Sequence, residues 1–447
     1  MLIASPGRNL WSAFVSKTKN AGWKKGREVI VVRGFERNAS RHFQPVTLCC
    51  DFSHRPFVHQ CSIWDHMALF ERMWDMCSEL HFPSVREWKR AHPDGRAIAY
   101  FPVYTPVELI HAAGMFPVGL AGAGDRLDIQ HADARFGSFI CSIVKTTLEM
   151  ALTGHLEPFD GFLFSSICDS ARNLCFVLKR NFPGMYVDFL HLPHNPSSPA
   201  ATQFLVEEYR RILAELERLG NCRVRDDTLH RSIALYNHNR ALIRELYDLR
   251  TRNPEQVPTW QLYQLIRAGN FMPVEEHTAQ LQEALVQFRA GGTKQRDSIR
   301  IVVEGSFCEQ PPLPLIRLIE DAGCYIVDDD FVIGQSWFDS DVPREGDPLW
   351  ALATSYMDHA VCSSVRHDFR KPRWEELVAK VRRSQADAVL FLVAKFCEPA
   401  YFDYVPYRQE LERAGIPHLQ LEFEEKSFTF DRLRMEVETF VESLVFD

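Results

Sequence analysis

The sequence has no uninterrupted run of 18 or more apolar residues, so no segment of it reads as a membrane-spanning helix. The first twenty residues, MLIASPGRNLWSAFVSKTKN, lack the continuous apolar core of a secretory signal. The chain is therefore expected in the cytoplasm, where its 12 cysteines stay reduced and disulfides do not account for them. No two of those cysteines form a C-x2-C pair, the usual mark of a zinc or ferredoxin-type site. A G-x-x-x-x-G-K-[ST] loop and a G-x-G-x-x-G turn are both missing. GLAGAG at 119–124 has the glycines without the spacing, so neither an ATP nor a nicotinamide site is expected in this chain. There is no G-x-S-x-G elbow, which removes support for an α/β-hydrolase. A net charge of −8 gives no global attraction for nucleic acid.

What is present is ample core material. The 447 residues are 46% hydrophobic and 25% charged, the balance of a globular protein of two or three domains. Residues 1–95 read as an N-terminal extension containing Cys49, Cys50, His54, His59 and Cys61, whose spacing matches no zinc pattern and suits ordinary loop and core residues. Within it, residues 64–90 have apolar positions at helical spacing. From 96 to 199 apolar strands (AIAYFPVYTP, FPVGLAG, GFLFSSI, MYVDFLHLP) alternate with helical stretches, including 138–154. Residues 200–297 are helical throughout and close on the linker GGTKQRDS. Over 298–447 the alternation resumes with IRIVVEGS, CYIVDDD, AVLFLVAKF and HLQLEFE as strands. LPLIRLIEDAG, 373–385, PYRQELERAG and a long C-terminal segment are the helices. The predicted fold class is α/β: two similar parallel-sheet domains, a helical layer between them and an N-terminal extension.

Three cysteines share a context. Cys168 follows GFLFSSI, Cys308 follows IRIVVEGSF and Cys397 follows AVLFLVAKF, each at the carboxyl end of an apolar strand. Parallel sheets bind ligands at that end. Convergence of the three on a cleft between the α/β units would suit an iron–sulfur cluster, whose irons prefer soft sulfur donors. Cys141 and Cys362, in loops or helix starts, are positioned to join them. The competing reading is that these are inert, buried small hydrophobes. Cys175, Cys222 and Cys324 fit that one. The run Asp328–Asp329–Asp330 reads either as a metal site or as a capped turn on a solvated edge, the second being the expectation.

Four segments carry a family resemblance. FPVYTPVELIHAAGMFPVGL, FICSIVKTTLEM, SSICDSARNL and LVAKFCEP resemble, in order and at compatible spacing, motifs of the 2-hydroxyacyl-CoA dehydratase / benzoyl-CoA reductase family, over roughly 96–445. Size and the upstream extension are most similar to the larger of two related catalytic-core subunits in ATP-dependent, class I benzoyl-CoA reductase. The resemblance implies that Cys141, Cys168 and Cys397 hold a [4Fe–4S] cluster. Cys308 and Cys362 resemble cysteines of the family's double-cubane branch. A sixth cysteine of that branch is replaced here by the Asp330–Phe331 region, which puts a complete double cubane in doubt. The implied activity is delivery of low-potential electrons to an aromatic acyl-CoA, giving a dienoyl-CoA. The implied partners are a related smaller catalytic subunit, ATP-hydrolysing iron–sulfur activator subunits and a ferredoxin-type donor, with no nucleic acid and no membrane. The alternatives are a 2-hydroxyacyl-CoA dehydratase subunit, a double-cubane reductase and a non-catalytic structural subunit.

Overall fold

The computed structural model describes the backbone of 12–16, 31–37 and 43–49, and residues 70, 72–291, 296–305, 308–331, 340–360, 368, 372–424 and 429–446. The chain parts into two compact units, Met1–Met67 and Ala68–Asp447. In the first, β1 (Ser12–Ser16), β2 (Val31–Arg37) and β3 (Phe43–Cys49) form an antiparallel sheet in the order β1-β2-β3. The sequence alone does not announce these strands. Cys49 ends β3; its side chain, together with Cys50, His54, His59 and Cys61, lies outside the described residues.

The second unit opens with helix α1 at 72–78 and α2 (Pro83–Ala91). The single helix expected over 64–90 is thus broken. Phe82 sits between the two at φ 48°, because the Pro83 ring disfavours helical backbone in the residue before it while itself starting a helix well. The first α/β block then runs β4 (Ala97–Tyr100), α3 (Val107–Ala112), β5 (Phe116–Gly119), α4 (Ser142–Leu152), β6 (Gly161–Ser165), α5 (Asp169–Asn181) and β7 (Tyr186–Leu190). Four helices follow: α6 (Ala201–Gly220), α7 (Asp226–Arg252), α8 (Thr259–Ala268) and α9 (Val274–Ala290). The second block runs β8 (Ile299–Glu304), α10 (Leu313–Asp321), β9 (Cys324–Asp329), α11 (Pro348–His359), α12 (Arg373–Ser384), β10 (Ala388–Ala394), α13 (Glu398–Ala414), β11 (His418–Phe423) and α14 (Asp431–Phe446). Among the described residues no helix is long and apolar enough to cross a membrane.

Both four-stranded sheets are wholly parallel, ordered β5-β4-β6-β7 and β11-β10-β8-β9. In both, the chain crosses between parallel neighbours through helices, and the two blocks repeat one α/β architecture. The central strands explain their own burial. Every residue of GFLFS in β6 and AVLFLVA in β10 is buried, as strands covered on both faces must be. Alternate residues of β10 serve opposite faces. Leu390 and Leu392 pack with Leu315 and Ile319 of α10 and Val437 of α14, while Val389, Phe391 and Val393 pack with Leu377 and Val381 of α12 and Leu411 of α13. Edge strand β11 instead interleaves Gln420 and Glu422 between its apolar residues.

Helix α7 joins the blocks. Arg240 pairs with Glu108 of α3, while Tyr247 donates to Asp329 of β9 at 2.9 Å, Arg250 pairs with the same carboxylate at 2.8 Å and Thr251 donates to the Val327 carbonyl at 2.8 Å. This corrects the solvated-edge reading of the Asp328–Asp330 run. Asp329 has no solvent exposure, and Asp330 accepts the Gly305 amide at 2.9 Å. Buried carboxylates persist where they are paired and hydrogen-bonded.

Candidate functional site

Helix α5 begins directly after the turn that ends β6, and Cys168 is its N-cap, its sulfur accepting the Ala171 amide at 3.4 Å. Helix α13 begins the same way after β10, with Cys397 as N-cap. The sequence pattern predicts that helix from Pro406; it starts at Glu398 instead. Pro399 falls in the first turn, where a missing amide costs nothing, and Pro406 is carried inside. Phe396, the residue before Cys397, holds a left-handed φ of 63°, a strain of about 1–3 kcal/mol that the surrounding packing sustains. Cys141 is the N-cap of α4, which is shorter than the 138–154 expected. Cys308 follows β8 beyond Gly305, whose φ of 102° turns the chain at the strand end in a way glycine alone does easily.

These four thiols line one cavity of about 620 Å³, fed by both blocks. Three of them cap helix N-termini, where aligned amides favour negative charge and so favour sulfur as thiolate. Cys362, the fifth candidate, lies outside the described residues. The other described cysteines are absent from the cavity walls. Cys175 and Cys324 are buried, as expected of small hydrophobes; Cys222 is exposed, a correction, since it follows the α6 terminus rather than a packed face.

Burial alone opposes charge here. It pushes Cys397 up to about 12, and raises Cys141, Cys168 and Cys308 as well. The Glu309 carboxylate raises Cys141 further, while the Ala171 and Ser170 amides draw Cys168 back down. Four protonated thiols in such surroundings become ligands only when a cation repays the desolvation, so loading releases protons. Among the described residues no three His, Cys, Asp or Glu side chains gather closely enough for a single ion. A cubane asks for something else: one thiolate at each of several irons, spread around a space. Four sulfur donors around a cavity of this size match that requirement in chemistry and room.

The walls mix phenylalanines with polar side chains. Phe101, Phe189 and Phe396 line the cavity, and Phe139 and Phe402 stand at it with 67% and 71% of their surface exposed. His191, His194 and Arg172 add polar groups. Glu309 is the residue that motif reading missed. It is 2% exposed, and its Oε2 accepts the Ile143 amide of α4 at 3.1 Å. A signal for it is present in the sequence: an acidic residue directly follows Cys168, Cys308 and Cys397 alike.

The family model for the 2-hydroxyglutaryl-CoA dehydratase D-component matches residues 102–444. The chain is 37% identical to one of the benzoyl-CoA reductase subunits of Thauera aromatica over 381 residues, 85% of this chain and 98% of that one. It is 31% identical to the lactoyl-CoA dehydratase beta subunit of Anaerotignum propionicum over 349 residues, 78% of this chain and 91% of the relative. With the beta subunit of (R)-2-hydroxyglutaryl-CoA dehydratase from Acidaminococcus fermentans it shares 28% over 362 residues, 78% of this chain and 92% of the relative. With cysteines at matching strand ends of a repeated parallel architecture, and a family match over more than three-quarters of its length, this chain belongs to the 2-hydroxyacyl-CoA dehydratase / benzoyl-CoA reductase family.

Proposed function

We propose that this chain is an iron–sulfur core subunit of a cytoplasmic, ATP-dependent benzoyl-CoA reductase, passing low-potential electrons to an aromatic acyl-CoA to give a dienoyl-CoA. The observation that carries the reading is the meeting of Cys141, Cys168, Cys308 and Cys397 in one cavity at the strand ends of both blocks. Cys141, Cys168 and Cys397 are the residues that hold a [4Fe–4S] cluster, and Cys308 is a further iron ligand in reach of the same space. Cys362 is assigned with them from its sequence context alone. When bound, the cluster supplies single electrons at a potential that an aromatic thioester demands. The chain's own residues bind, shield and orient. The Ala171 and Ser170 amides hold the Cys168 sulfur, Phe101, Phe189 and Phe396 exclude water, and the helix N-termini offset thiolate charge.

No ATP fingerprint occurs in the sequence, so the energy comes from elsewhere. The partners in this reading are a related smaller subunit, an ATP-hydrolysing iron–sulfur activator and a ferredoxin-type donor. Support comes from the 37% identity to a reductase subunit. A second reading, a 2-hydroxyacyl-CoA dehydratase subunit, is favoured by the dehydratase relatives at 31% and 28%. Stoichiometry separates them. Purified anaerobically with its partner subunits, the reductase consumes ATP and reductant at every turnover, whereas a dehydratase needs them only for activation. Turnover of benzoyl-CoA by this chain alone, or a chain that binds neither iron nor labile sulfide, would remove the first reading.

A further inference from the structure

Helix α4 presents its opening amides to the thiol cavity, and the Ile143 amide is satisfied from 166 residues away by Glu309 of the second block. That carboxylate is 2% exposed and stands directly beside Cys308, while the helix it grips carries Cys141 as N-cap. One side chain therefore connects a thiol of the first block to a thiol of the second.

We propose that Glu309 is the positioning residue of the thiol site: it clamps the start of α4 to the second block, so that Cys141 faces the thiols of that block. The clamp stands on the geometry alone; its effect on iron loading rests on the cluster reading given above.

Two substitutions test the clamp. Glu309→Gln keeps an oxygen for the Ile143 amide; Glu309→Ala removes it. In the complex assembled anaerobically with its natural subunits, Glu309→Gln should keep native iron and labile sulfide, and Glu309→Ala should lose iron. In the iron-free chain, hydrogen exchange at the start of α4 should quicken in Glu309→Ala and stay near native in Glu309→Gln. Native exchange and native iron in Glu309→Ala overturn the clamp, and so does a Glu309→Gln variant that behaves like Glu309→Ala. If the native chain itself holds no iron, the cluster reading falls, and the exchange measurement still decides the clamp. Should Glu309→Ala fail to fold, Glu309→Gln and Glu309→Asp, whose shorter arm draws the carboxyl away from Ile143, carry the same comparison.

Discussion

Between β6 and α5 in the first block stands Cys168, followed by Asp169; between β10 and α13 in the second stands Cys397, followed by Glu398. Both joints lie at the carboxyl end of a central parallel strand, and each delivers a cysteine as N-cap. Elsewhere the blocks diverge. The strand that begins the first block, β4, leads through Phe101 to α3 with no cysteine between, whereas β8, which begins the second, leads to Cys308 and Glu309. The first block supplies Cys141 from the connection between its second and third strands, where the second block has Cys362 in sequence. The interiors differ too. The second block buries Lys380 against Glu304 at 3.0 Å, with the Tyr407 hydroxyl donating to Glu304 at 3.4 Å, and the end of β4 carries Tyr100 instead. A repeated architecture thus fixes where strand ends meet, and individual substitutions decide what chemistry each end offers.

The sharpest way to break the comparison is to remove the matched thiols. Cys168→Ser and Cys397→Ser should each reduce bound iron to near background and cut activity by more than the about 10–100-fold usual for an outer partner of a metal ligand. Cys175→Ser, one helix turn and more beyond Cys168, should change neither. Iron analysis on the three variants checks this, and full iron in Cys397→Ser would end the equivalence of the two joints.

Next comes the asymmetry in buried charge. Lys380→Met leaves the Glu304 carboxylate without its cation and should cost about 3–5 kcal/mol, visible as a lowered thermal midpoint. Glu304→Gln paired with Lys380→Met should recover part of that loss. If the single variant is neutral, the pair adds nothing to the second block.

A smaller effect is expected from pH. In the iron-free chain, burial holds Cys397 up to about 12, above its ordinary 9.0. The folded form therefore keeps a proton that the unfolded chain releases sooner. Its contribution to stability is intact below pH 9 and is lost as pH rises towards 12, so denaturation midpoints of the iron-free protein should fall across that window. Alkylation gives the same information per residue: Cys222, exposed, should react well before Cys397 at pH 8. The least change is expected at Cys222 itself, where Cys222→Ser should stay within about 0.5 kcal/mol of native stability.

Much of this is legible in residue order. GFLFS and AVLFLVA announce buried strands because neither contains a polar interruption before the serine at the end of β6. The strand-end cysteines follow from them. What is illegible involves partners far along the chain. Nothing near Asp329 in sequence tells that Arg250 and Tyr247 will meet it, so a buried ion pair reads as a solvated turn. Pro83, Pro399 and Pro406 show a second limit. One parts two helices, one sits harmlessly in a first turn and one rides inside a helix, and only the backbone around each distinguishes them. Glu309 stands out only as one of three acids that follow a strand-end cysteine; its grip on α4 is invisible for the first reason, since the amide lies in the other block.

Helix α7 has 27 residues, a rod of roughly 40 Å at the usual rise per residue. It is pinned near its middle by Arg240 on Glu108 and near its end by Tyr247, Arg250 and Thr251 on β9. A beam fastened at two points to two bodies resists any hinge between them. Traffic to the thiols then has no clamshell opening to use. On the reading proposed above, iron and sulfide would come in through the standing mouth, past Phe139 and Phe402, the two exposed rings of the cavity.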